Sequence, residues 1–330
     1  MNCMRLLTLL ALVSPLAVVA ALPAQTVPPT TVPAPVVEAP LLGKVVVIGS
    51  ELSLGAGWAA EVGATVSLAD VVEQGVLAPH QAVVQHLDTL AGRDVLADLE
   101  RQARLTKEHK PTLVVALDSL ALVTYDAGEA APERFDRALR ALKGIGAPLV
   151  LGDLPDWRTL ATRSERGWLQ ASKLPSVAMQ ANLTARLTAF AADTKDVVLA
   201  PVARLWSHLE RDEPLRLRGN LWGRAWLPDL AGADRQVLRL DGGIALWLLA
   251  ADALVTQRRD VPAAALVWDA RELRRRVYES RAKERAAQAQ LELDQQRGPQ
   301  RPPPPPPPSP EELRRLKREK QERDGSGGRE

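Results

Sequence analysis

Lys44-Val-Val-Val-Ile-Gly-Ser-Glu-Leu-Ser-Leu-Gly-Ala-Gly57 decides the fold. A β-branched run ends at Gly49, polar residues follow, and Gly55 and Gly57 come next. This pattern predicts a buried strand that turns sharply into a helix N-terminus, where α/β enzymes carry a nucleophile or bind an anion. Working outward, strand-sized apolar runs recur at Thr112–Asp118, Ala147–Gly152, Asp196–Ala200 and Gln236–Leu240, with a weaker one at Ala82–Leu87. Helical patterns fall between them, near Glu61–Gln74, Arg93–Thr106, Pro132–Gly144, Pro175–Asp193 and Gly242–Thr256. Near-continuous Val/Leu/Ile runs suit strands covered on both faces, and their alternation with helices predicts a three-layer α/β/α domain around a doubly wound, mostly parallel sheet.

The opening stretch resembles the first block of the SGNH (GDSL-like) hydrolases in the form Gly-Ala-Ser-Val-Ser-Ala-Gly-Phe-Gly. Gly49, Ser53, Gly55 and Gly57 match without gaps, and Glu51 stands where that family has its nucleophilic serine. Asp88 to Gly92 precedes a helix, as the second-block glycine does. Pro111–Asp118 resembles the strand leading to the third block, Ala147–Asp156 looks like the fourth strand, and Leu238–Gly243 sits at the final block. The resemblance implies an ester hydrolase fold in which a serine attacks, a histidine takes its proton, and glycine and asparagine donors hold the oxyanion. Here His80, His86, His109 and His208 all lie outside the final block, whose histidine position falls at Arg239 or Asp241. No asparagine neighbours Asp118, and Gly92 remains as a backbone donor. Nucleophile and base act as one unit, so the resemblance implies a degenerate, catalytically inactive member.

The residues leave other chemistry open. Glu51, Asp118 and Asp153 all follow parallel strands, whose carboxyl ends converge on the ligand crevice of α/β proteins. They could form an acidic cluster that binds Mg²⁺ or Ca²⁺ or works as paired carboxylates. Equally, Ser50, Glu51 and Ser53 cap a helix while Asp118 and Asp153 satisfy turn amides. Ser50 and Ser53 are the candidate binding hydroxyls. Trp222 and Trp226 flank Arg224 in one loop, able to stack on a sugar, to grip a partner or to anchor the core. Asp241 reads as the N-cap of the last helix, and His208 as packing on an amphipathic helix. The glycines match neither a dinucleotide fingerprint nor a phosphate loop, so no cofactor and no dedicated metal centre is implied.

The ends differ from the middle of this 330-residue chain. Residues 1–24 hold Arg5, an apolar run from Leu6 to Ala21 and small residues at Ala20, Ala21 and Ala24, the pattern of a signal peptide. Such a run is short for a membrane span, so cleavage leaves no stable span. Residues 25–40 form a Pro-rich linker, 41–257 the α/β domain, 258–297 a charged helical segment and 298–330 a Pro-rich, charged, disordered tail. In the helical segment Leu266, Ala270, Leu273 and Val277 follow a 4-3-4 spacing that stops too soon for a coiled coil. Cys3 is the only cysteine and lies inside the signal, so the mature chain has neither disulfide nor thiolate chemistry. Export to a periplasm or the extracellular space follows. From Arg271 onward 16 Lys/Arg face 11 Asp/Glu, an excess larger than the +2 of the whole chain, so the basic character belongs to the tail. That balance argues against nucleic-acid binding. Three functions remain: an inactive binder of a cell-envelope partner through the former crevice or the tail; an active ester or carbohydrate hydrolase using the acidic cluster; and a tether whose proline run engages a protein partner.

Overall fold

Five strands make the central sheet: β1 (Val45–Gly49), β2 (Val84–Leu87), β3 (Leu113–Ala116), β4 (Leu149–Gly152) and β5 (Val197–Ala200). Their order is β2-β1-β3-β4-β5 and every pair is parallel. The structure is a computed structural model describing residues 37–55, 58–62, 65–87, 94–162, 169–224, 227–231, 236–297 and 307–326. Every residue of β1, β3 and β4 is buried, while β2 and β5 at the edges are partly open. Strands covered on both faces can be continuously apolar, which is why the three central ones read so clearly in the sequence. The calls on residues 1–24, most of 25–40, Gly92, Trp226 and most of the proline run lie outside the described residues.

In chain order the helices are α1 (Glu51–Leu54), α2 (Ala59–Val62), α3 (Leu68–Gly75), α4 (Val95–Glu108), α5 (Ser119–Val123), α6 (Ala131–Lys143) and α7 (Arg158–Ala161). There follow α8 (Val177–Asp193), α9 (Val202–Arg211), α10 (Leu227–Leu230), α11 (Leu240–Gln257), α12 (Ala270–Arg297) and α13 (Pro310–Ser326). Helices α4, α6 and α8 pack in succession on one side of the sheet; α3, α9 and α11 gather on the other, with α12 against α3 and α11. Among the described residues only α11 is long and apolar enough to cross a membrane, yet it is buried nearly all round as the core helix of its layer. Glycines let its neighbours close in. A Cβ on Gly243 would come within 2.3 Å of the Trp58 ring, and one on Gly75 within 2.2 Å of Trp247 Nε1. Trp58 Nε1 donates to the Leu238 carbonyl at 2.9 Å, tying the first helical connection to the start of α11.

Several expectations need correction. Gln236–Leu240 is not a sheet strand: Leu238 forms an isolated bridge to Ala231, and α11 begins at Leu240. The helix expected over Glu61–Gln74 is split into α2 and α3, because Ser67 and Asp70 form a capping box that starts a new helix. A two-stranded hairpin, β6 (Leu215–Leu217) with β7 (Asn220–Trp222), was not foreseen. The 4-3-4 seam is explained by the core itself, since Leu266, Ala270, Leu273 and Val277 are all buried against the domain. For residues 310–326 the sequence leaves disorder or a transient helix open, and they form α13.

Strand order reverses between β1 and β3, whose chain connections leave in opposite directions. That switch point, outside their carboxyl ends, is where sheets of this kind open a crevice.

Candidate functional site

At the switch point β1 delivers Gly49, Ser50 and Glu51, and β3 delivers Asp118. Gly49 can only be glycine, because a Cβ there would lie 2.4 Å from Ser53 Oγ and 2.5 Å from Asp118 Oδ1. Gly55 ends α1 in the left-handed region at φ 67°, with the Val66 carbonyl 2.1 Å from where a Cβ would stand. Asp118 accepts from the Ser50 amide at 3.1 and 3.2 Å and from the Ser53 amide at 2.9 Å. Its residue is 1% exposed, and burial pushes its carboxyl above the ordinary 3.8 against the pull of the Ser53 and Ser50 amides. Asp118 is thus the pin that fastens the β1–α1 turn to β3. Gln102 of α4 completes the pin by donating to the Gly49 carbonyl at 3.0 Å.

Little space is left among these groups. A cavity of about 10 Å³ lies between Gly49, Ser50, Asp98, Gln102 and Ser119, room for about one water. Ser119 Oγ is buried there with no hydrogen-bond partner among the described residues. Ser50 and Ser53, the candidate binding hydroxyls, are 6% and 0% exposed, so neither is open to a large ligand.

The structure brings Ser50, Ser53 and Asp118 together and leaves the other candidates apart. Glu51 is half-buried in the first turn of α1. Asp153 follows β4 and accepts from the Ala203 amide at 2.6 Å, capping α9; burial raises its carboxyl despite the Ala203 and Val202 amides. No three His, Cys, Asp or Glu side chains among the described residues stand together to hold a metal ion. Of the two readings the sequence leaves open, Glu51, Asp118 and Asp153 form no cation cluster among the described residues, and Asp118 and Asp153 accept from backbone amides instead. Trp222 is a core anchor at 5% exposure, its indole bonded to Asp241, with no ring face free for a sugar.

The first turn of α11, where the resemblance places a catalytic histidine, holds an ion-pair network. Arg239 is the N-cap and Asp241 lies inside the turn, not at the cap as expected. Arg274 of α12 clasps Asp241 through two nitrogens, with Nε at 2.7 Å. Burial still raises the Asp241 carboxyl, with Arg274 pulling the other way. Glu61 of α2 approaches Arg239 at 3.5 Å and accepts from the Leu240 amide, and its carboxyl too is raised by burial. The histidines are placed elsewhere. His80 contacts the Ala78 carbonyl at 2.8 Å and Glu73 at 3.3 Å. His86 and His109 face each other with ring centroids 5.2 Å apart. His208 sits on α9, where burial and then Arg204 hold its pKa down.

Gln102, Glu61 and Arg274 escaped the sequence reading. Each is one polar residue on a helix whose partner is fixed only by tertiary packing.

No family model matches the sequence, and no curated protein matches it significantly. Among solved structures the chain is similar to a lipase/acylhydrolase from Enterococcus faecalis, at 14% identity and TM-score 0.44 over 67% of this chain and 100% of that one. It is also similar to TesA, at 16% identity and TM-score 0.37 over 66% of this chain and 99% of that one.

Proposed function

We propose that the protein is an exported, catalytically inactive SGNH-hydrolase-like domain that acts by binding an envelope partner. The observation that carries this reading is the pin at the switch point. Where the resemblance calls for a serine the turn carries Glu51, and the buried Asp118 carboxylate is committed to the Ser50 and Ser53 amides. The final-block position supports the same reading, since its charges are engaged with Arg274 and Glu61 and form no base. With room for about one water between Gly49, Gln102 and Ser119, the binding role falls on the C-terminal extension rather than on the crevice.

The test is turnover of short acyl esters by the purified protein together with labelling by a serine-directed phosphonate. No hydrolysis above background and no label are expected, because labelling needs an activated hydroxyl. Hydrolysis that collapses in Glu51→Gln while the fold is kept would replace this reading with carboxylate chemistry at Glu51. Hydrolysis that survives Glu51→Gln would place the catalytic residues elsewhere.

A further inference from the structure

We propose that α13 is a docking element for an anionic lipid bilayer; the proposal rests on the reading above that the C-terminal extension is the binding part. The helix is built to stand alone. Ser309 and Glu312 form a reciprocal cap, the Ser309 amide donating to Glu312 at 2.9 Å and the Glu312 amide to Ser309 Oγ at 3.2 Å. All its described side chains, through residue 321, are exposed. Leu313 and Leu316 are 46% and 52% open, an arrangement with no role in the fold of the domain.

Leu313, Leu316, Lys317 and Lys320 fall at i, i+3, i+4 and i+7, one face of a helix. Over residues 313–320 the acids are engaged, Glu319 pairing with Arg315 at 3.3 Å and Glu312 just before them held in the cap, while Asp324 follows in phase one turn beyond Lys320 and bounds the basic stretch. Two leucines beside two lysines, with Arg314 and Arg318 on the flank, match a surface that is negative outside and apolar just beneath. An anionic bilayer is such a surface. A polyanion such as nucleic acid would use the cations and have no use for the leucines. So short an apolar face gives reversible, salt-sensitive attachment rather than insertion.

The test is co-sedimentation of the full chain at low salt with vesicles of phosphatidylcholine alone and of equal parts phosphatidylcholine and phosphatidylglycerol. The mixed vesicles should pellet the protein and the neutral ones should not. Lys317→Glu/Lys320→Glu and Leu313→Ser/Leu316→Ser should each weaken partitioning roughly tenfold. These side chains touch no core, so unfolding temperatures stay unchanged and a loss of binding is not a loss of fold. Equal pelleting with both vesicles, no pelleting with either, or a leucine variant that binds like the parent would overturn the proposal. Its failure leaves the inactive-site reading intact, because that is read from ester turnover, which vesicles do not report.

Discussion

Replacing Asp118 by alanine removes the acceptor for two buried amides. Ser50 and Ser53 donate to it from across a separation of 68 and 65 residues. Each orphaned donor costs about 1–3 kcal/mol, so the pair costs about 4 kcal/mol. That is a large part of the 5–15 kcal/mol by which ordinary domains are stable, so Asp118→Ala should be marginal or unfolded at room temperature. Asp118→Asn keeps the shape and one carbonyl but turns an acceptor into a donor facing the Ser50 amide, a loss of about 1–2 kcal/mol. The pH dependence has a definite sign. Burial raises the folded carboxyl above 3.8, so its protonation adds stability that is complete below the unfolded value and lost as pH climbs through the folded one. Asparagine does not titrate, so the gap between the parent and Asp118→Asn should widen in acid and narrow toward neutrality. Urea unfolding followed by the fluorescence of the eight tryptophans measures both quantities. An alanine variant less than about 1 kcal/mol below the parent would refute the pin, and a gap that widens on the alkaline side would refute the upward shift of its carboxyl.

Gly243→Ala places a methyl 2.3 Å from the Trp58 ring and should cost about 2–3 kcal/mol in thermal unfolding; an unchanged midpoint would show that the two elements can slide apart. Arg274→Met keeps the stem that packs on α11 and strands the buried Asp241 carboxylate. Because Arg274 is itself 41% exposed, the loss should be only about 1–2 kcal/mol, and smaller in acid, where protonation relieves the lone charge. A chain ending at Arg258 loses Leu266, Leu273 and Val277 from the core and should aggregate on expression, whereas one ending at Arg297 should fold like the parent. Equal solubility of the two would show that α12 is dispensable.

The sheet was legible where burial is two-sided. Lys44–Gly49 was expected and Val45–Gly49 is found, because a run with no polar face admits one reading. The edge strand β2 gave a weak signal, since Gln85 and His86 sit where only part of the surface is covered. Gln236–Leu240 misled because Leu238 and Leu240 are both buried, which looks like strand alternation although one precedes the helix and the other opens it. Gly242 and Gly243 read as the opening of the last helix, with Asp241 as its cap, whereas the helix begins at Leu240. They lie inside it because the Leu230 carbonyl and the Trp58 ring leave no room for a Cβ. In the site, the turn carrying Glu51 could be located from its own residues. The duty of Asp118 could not, since its partners lie some 68 residues away and depend on β1 and β3 being neighbours.

Helix α11 is also nearly the last piece of the domain to leave the ribosome. Trp58 waits for the Leu238 carbonyl across 180 residues, and α3 and β5 wait for the helix itself. Until residue 257 has been synthesised one side of the sheet lacks its central helix, with α3 and α9 on either side of the gap, so the nascent chain cannot settle piecemeal as it grows. Its layers must close in a late, long-range step, and the interval before that step is when the chain is most exposed to self-association and most dependent on a chaperone.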